Sequence, residues 1–135
     1  VNFSGLAQDE YFLQVKHRNH LGVRTPSAIT FSRIGTTYDF SSALGQAWDN
    51  ITLTSNDAMV DLSWNGTVYG LFLGDVSQDG QINVTDLQGT ANLITPNQSG
   101  VYSTGDLSFD GNLNVADLQT SGNVVTPNKI GHVVQ

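Results

Sequence analysis

The chain has no cysteine, and that single absence removes disulfides, thiolate metal sites and cysteine nucleophiles together. Bases are scarce: five Lys and Arg face twelve acids, for a net charge of -7, which argues against a nucleic-acid backbone or an anionic membrane surface as partner. Glutamate is rarer still. Glu10 is the only one, so a paired-carboxylate hydrolase would have to draw on scattered aspartates. No G-x-S-x-G elbow occurs, and Ser, His and Asp form no recognisable catalytic arrangement, so no enzyme is expected. No apolar run approaches the ~18 residues of a membrane span, and no basic-then-apolar leader opens the chain. The first residue is Val1 rather than Met, which reads as an excised piece of a longer protein with any export signal upstream.

What the chain does contain is unevenly placed. An apolar content of 39% with 9% aromatics is enough for a folded core in 135 residues. Six of the twelve acids (Asp75, Asp79, Asp86, Asp106, Asp110 and Asp117) fall in two stretches, "GDVSQDGQINVTDL" at 74–87 and "GDLSFDGNLNVADL" at 105–118, 31 positions apart. Outside them, six acids nearly balance five bases.

The two stretches fit a twelve-position calcium loop of the EF-hand kind, which takes oxygens from positions 1, 3, 5, 7 (backbone), 9 and 12 and needs Gly at 6 for its sharp turn. With position 1 at Asp75, the candidate ligands are Asp75, Ser77, Asp79, Gln81, Asn83 and Asp86, with Gly80 at position 6. The second register gives Asp106, Ser108, Asp110, Asn112, Asn114 and Asp117, with Gly111 at position 6. Every candidate is a hard oxygen, which favours calcium over zinc, and the number and flexibility of ligands favour it over magnesium. Ser at position 3 and Asp at position 12 depart from the strict EF-hand pattern, and the short Asp requires the following helix to come close to the ion. Position 8 is apolar in both copies (Ile82, Leu113), where paired loops are expected to join backbones through a short β bridge and bury the side chain. Position 13 is Leu in both (Leu87, Leu118), expected as the first core residue of a helix. Those helices have mediocre intrinsic propensity and are expected to end at Pro96 and Pro127. A region of this size commonly recruits metal to supplement a marginal core.

Residues 1–73 read as strands. "YFLQVKHRN" (11–19) alternates with Phe12 out of phase, "AITFSRI" (28–34) is rich in strand formers, and Asn65-Gly66 inside "MVDLSWNGTVYGLFL" (59–73) suits a two-residue type I′ hairpin turn. "SSALGQAWDN" (41–50) reads as a helical turn or a loop. The expected fold class is therefore α+β: a small β-sandwich over 1–73 packed on a pair of loop-helix units over 74–135.

No helix is expected before either loop, and a loop then a helix, given twice, resembles the dockerin family over residues 74 to about 131. In that family the residues at loop positions 1, 5, 9 and 12 bind calcium, which the resemblance carries to Asp75, Asp79, Asn83, Asp86 and to Asp106, Asp110, Asn114, Asp117. Ser77 and Ser108 stand where the family usually has Asn. The first part, through "YFLQVKHRNHLGVRTPSAITFS", "YDFSSALGQAW" and "VYGLFLGDV", is similar to the β module (Ig-like or X-module-like) that precedes dockerin-like repeats near the C-terminus of large secreted Bacteroidetes-type proteins. The resemblance implies two calcium ions, an extracellular or cell-surface setting, and a cohesin-type partner met by loop positions 10 and 11, here Val84, Thr85, Val115 and Ala116. Near-identical repeats also imply docking in two orientations. The alternative is a calcium-stabilised structural or anchoring module with no cohesin partner.

Two further features have plainer readings. His17 and His20 in "HRNH" are three apart, so along a strand they face opposite sides, and a shared zinc needs a bend after Asn19; a solvated strand end is the expectation. Tyr11, Tyr38, Trp48, Trp64 and Tyr69 present rings that stack on sugar if exposed, but core packing of a small domain is the simpler role.

Overall fold

The computed structural model describes residues 5–48, 58–63, 65–94, 98–100, 102–125 and 129–130. The mixed helix and strand composition expected from the sequence is what it shows, with every strand in a two-stranded antiparallel pair.

In the first part β1 (Glu10–Tyr11) pairs with β4 (Ile29–Thr30), β2 (Gln14–His17) with β3 (His20–Arg24), and β5 (Met59–Asp61) with β6 (Tyr69–Leu71). The apolar residues decide which strand lies inside. Leu21, Gly22 and Val23 of β3 are buried, while Gln14, Val15 and Lys16 of β2 face out. Beyond β6 the backbone runs beside β3, with the Leu21 N–H donating to the Phe72 carbonyl at 2.8 Å and the Gly74 N–H to the Asn19 carbonyl at 2.7 Å. Val23, Ala47, Ala58 and Met59 form the core, with Phe40, Leu44, Tyr69 and Leu71 packed on it. Phe40 and Leu44 arrive on two 3-10 turns, Phe40–Ser42 and Leu44–Gln46, so the segment read as either a helical turn or a loop is the former. The Asp39 carboxylate caps the first by accepting the Ser41 N–H at 2.8 Å.

Two expectations for this part are corrected. The β5–β6 connection is wider than a two-residue turn at Asn65-Gly66: Leu62 N–H bonds the Val68 carbonyl, and Asp61 gathers the Ser63 and Gly66 N–H groups, which rounds the loop around one carboxylate. The "AITFSRI" strand contracts to Ile29–Thr30, and "YFLQVKHRN" breaks at Phe12 and Leu13, where the chain changes partner from β4 to β3 and the Leu13 N–H donates to the Thr25 side-chain oxygen at 3.2 Å rather than to a ladder carbonyl. Trp64 lies outside the described residues, and the two facing layers of a sandwich are not defined by those that are described.

The second part runs β7 (Gln81–Ile82), α1 (Val84–Leu93), β8 (Gln98–Ser99), β9 (Asn112–Leu113), α2 (Val115–Val125) and β10 (Lys129–Ile130). Asn83 starts α1, its side-chain oxygen accepting the Thr85 N–H at 2.7 Å while Asp86 accepts the Asn83 N–H at 2.9 Å, a reciprocal capping box. Asn114, Ala116 and Asp117 repeat these two bonds at the start of α2, at 2.8 and 3.0 Å. Such caps matter because the helices themselves are weak; α1 and α2 pack on each other, and Thr90 of α1 and Ser121 of α2 are fully buried. Pro96 and Pro127 lie outside the described residues; α1 ends at Leu93 and α2 at Val125.

Ile82 and Leu113 are buried as expected, but the two loops do not bridge to each other there. β7 pairs with β10, and β9 pairs with β8. Each loop strand thus takes the chain that follows the helix of the other repeat. The registers are equivalent: Ile82 faces Lys129 as Leu113 faces Gln98, each offset by the 31-residue repeat. The tails satisfy the loop backbone groups first, which removes the loops' need for one another. Leu87 and Leu118 are only partly buried and line an open groove with Val84, Gln88 and Ala91, rather than a closed core.

Candidate metal centre

The two loops follow nearly the same backbone path. Position 6 is left-handed in both (Gly80 at φ 83°, Gly111 at φ 79°), and so is position 4, occupied by Gln78 and Phe109, each at φ 60°. A left-handed conformation at two non-glycine residues in the same register is a strain that the surrounding bonds must hold.

Those bonds come from the loop carboxylates. In loop one Asp75 accepts the Asp79 N–H at 3.1 Å and the Gly80 N–H at 3.2 Å, one on each oxygen. Asp86 ties the loop to its helix, accepting Ser77 N–H and Asn83 N–H, both at 2.9 Å. In loop two Asp117 does the same for Leu107, Ser108 and Asn114 at 2.9, 3.0 and 3.0 Å. Asp75, Asp86, Asp106 and Asp117 are all buried. Burial, and next the charge of Asp86, push the Asp75 carboxyl up to about 6. Asp79 and Asp110 at position 5 are exposed and cap the Gln81 and Asn112 N–H groups at 2.9 and 2.8 Å; that backbone bond, with the Asn112 side chain after it, lowers the Asp110 carboxyl. Ser77 and Ser108 are exposed, Gln81 and Asn112 sit on the paired strands, and Asn83 and Asn114 serve as caps.

Among the described residues no three His, Asp or Glu side chains converge on one metal position. The carboxylates are turned to backbone N–H groups, and the exposed position 5 would have to swing inward to complete an ion's shell. The donor chemistry nonetheless fits calcium. It is oxygen throughout, and one buried carboxylate atom, Asp106 Oδ1, has no hydrogen-bond partner.

The copies differ in what bonds the carbonyl of position 1. In loop one the carbonyl of Asp75 accepts the side-chain amide of Gln78 at 2.7 Å. In loop two position 4 is Phe109, and the Asp106 carbonyl accepts the side-chain amide of Asn19, from the β2–β3 turn, at 2.8 Å. Beside it Arg18 Nη2 lies 3.6 Å from Asp106 Oδ2, and its guanidinium stacks 3.9 Å above the Tyr102 ring. Sequence reasoning missed Arg18, Asn19 and Tyr102. The one signal was the aromatic at position 4 of the second loop where the first has an amide.

The same turn changes the reading of "HRNH". His17 and His20 are a cross-strand pair whose rings stand 4.6 Å apart, with Nδ1 atoms 2.8 Å from each other and 3.0 Å from Asn19 Oδ1. The expected opposite facing is therefore wrong, because Arg18 and Asn19 form the turn itself. A third His, Asp or Glu to complete a zinc site is not found among the described residues. Burial, then the charges of His17 and Arg18, lower the His20 pKa, and Phe109 stacks on its ring at 5.8 Å.

The residues assigned to partner contact lie at the helix starts, with Val84 and Val115 exposed at 69% and 72%, and Thr85 and Ala116 exposed beside them. Tyr11, Tyr38, Trp48 and Tyr69 are each half-buried and engaged: Tyr11 on Phe31, Tyr38 on Phe40, Trp48 under Arg24, Tyr69 on the core. No described helix is long and apolar enough to cross a membrane. No protein-family model, curated protein or solved structure matches this chain.

Proposed function

We propose that residues 74–135 are a dockerin-like pair of loop-helix units, each taking one calcium ion, and that the module docks a cohesin-type protein partner in a calcium-dependent way. The first part is a small β-sandwich serving as a rigid adjunct, the setting is extracellular or at the cell surface, and the role is binding rather than catalysis. One observation supports this reading most: two loops 31 residues apart share backbone path, including left-handed positions 4 and 6, and gather buried carboxylates at positions 1 and 12. An acidic surface turn has no need to bury two aspartates against each other, since each buried carboxylate is unfavourable without a cation. Calcium at each loop would neutralise that cluster and hold the following helix against it. The exposed Val84 and the groove it lines with Leu87, Ala91 and Leu118, together with the exposed Val115 at the start of α2, then offer apolar surface of the kind that docks.

The structural alternative, an ion that locks the fold with no cohesin, draws support from the strand exchange, because each loop already braces the other repeat. Calorimetric calcium titration of the EDTA-stripped protein, beside Asp75→Ala and Asp106→Ala, tests the ion: two sites in the parent and one in each variant are expected. Capture of a cohesin that EDTA releases separates docking from the structural role. Val84→Asp and Val115→Asp should each leave one docking orientation and together abolish it.

A further inference from the structure

The closest difference between the two loops is where the amide on their first carbonyl comes from. Loop one supplies its own: Gln78 at position 4 donates to the Asp75 carbonyl at 2.7 Å. Loop two has Phe109 at that position, with the same φ of 60°, and a phenyl ring donates nothing. Asn19, 87 residues away, fills the place at 2.8 Å. The turn that brings Asn19 also brings a cation. Arg18 is 13% exposed and lies over Tyr102 at 3.9 Å and near Phe109 at 5.6 Å, both rings belonging to the second repeat. The residues in register with them in the first repeat are Leu71 and Gln78, so loop one offers no comparable seat.

The carboxylate has responded. Asp75 spends both oxygens on the N–H groups of its own loop, whereas Asp106 accepts only Gly111 N–H on Oδ2, the oxygen that faces Arg18, and leaves Oδ1 without a partner. Arg18 Nε and Nη1 are also buried without partners. A dry guanidinium facing a buried carboxylate is held there by charge, and charge is what a calcium ion at the same carboxylate would bring.

We propose that the Arg18-Asn19 turn is a working part of the second calcium site: Asn19 positions the Asp106 backbone as Gln78 positions Asp75, and Arg18 is a resident counter-cation against which calcium must compete. The first part thereby sets the order of loading, loop one before loop two. This rests on the calcium reading above. Both residues are positioning residues, since neither offers an oxygen to the ion.

Calcium titration by calorimetry in single-site backgrounds tests it, with Asp75→Ala reporting loop two and Asp106→Ala reporting loop one. In the loop-two background, Arg18→Gln and Arg18→Met should each bind calcium about tenfold more tightly and Arg18→Lys like the parent, a modest share of the Coulomb repulsion between a guanidinium and a divalent ion on one carboxylate. Loop one should not respond. Asn19→Ala should weaken loop two several-fold, and adding Phe109→Gln, which restores an internal amide, should recover it. Unchanged or weaker binding in both charge-removing variants overturns the counter-cation role, and failure of Phe109→Gln to rescue overturns the role of Asn19. A parent that binds no calcium overturns the metal reading itself, which the parent titration shows before any Arg18 variant is made.

Discussion

Loop one and loop two carry the same oxygens at positions 1, 3, 5, 9 and 12, yet they solve the same internal problem differently. Loop one is self-sufficient: its own Gln78 holds the first carbonyl and its own N–H groups hold the first carboxylate. Loop two delegates the first task to Asn19, from a turn of the first part, and shares the second between its own Gly111 N–H and Arg18 of that turn. On the calcium reading proposed above, a repeat keeps its oxygens while one position outside that set decides whether the loop is braced from within or by another part of the chain.

The comparison can be broken most severely at position 12. Asp117 accepts three N–H groups and Asp86 two, all charge-assisted bonds donated to a fully buried carboxylate. Asp117→Ala should cost about 3–5 kcal/mol and Asp86→Ala about 2–4 kcal/mol in urea unfolding under EDTA, on typical values for buried donors left unpaired. Equal losses would mean that the extra bond in loop two carries no load. A smaller effect tests the strand exchange. A chain ending at Val125 lacks β10, which pairs with loop one, so the deletion should weaken calcium at loop one by about tenfold while loop two, braced by β8, changes less. The reverse pattern would place the brace within each repeat.

The smallest effect concerns protons. The Asp75 carboxyl is raised to about 6 in the folded chain by burial and by Asp86, above its ordinary 3.8. Its protonated form is thus the one favoured by folding, so the metal-free protein should lose stability as pH rises from about 4 through about 6 and lose no more from this group above that. Asp75→Asn should remove that part of the slope while abolishing calcium at loop one, and its amide keeps only one acceptor for the two N–H groups that the carboxylate serves. Parallel pH profiles for parent and variant would show that the Asp75 charge is already compensated.

The loops were legible because their geometry is local: Gly80 and Gly111 must turn, Asp86 and Asp117 must reach back, and twelve consecutive residues contain the whole pattern. The buried Ile82 and Leu113 were legible for the same reason. The exchange of tails was not, since two-residue strands such as Gln98–Ser99 carry no periodicity and their partners lie in the other repeat. Nor was the Asn19 contact, whose ends are 87 positions apart. His17 and His20 misled because the period of a strand was applied across a turn, where Arg18 and Asn19 reverse the chain and put both rings on one side. The breadth of the Asp61 loop had a similar cause: a carboxylate just before a turn competes for the N–H groups that a tight hairpin would have paired.

The pairing of β7 with β10 also has a mechanical side. Ile82 and Lys129 are joined across the pair, so everything between them, including α1, loop two and α2, lies inside a closed stretch of chain. Tension entering at β10 crosses to β7 and leaves toward the first part without passing through that stretch. The pair acts as a clasp. Until it opens, the force is borne at the edge of loop one, the loop that relies on no other part of the chain for its first carbonyl, while loop two stays tied to the first part by Asn19 and Arg18.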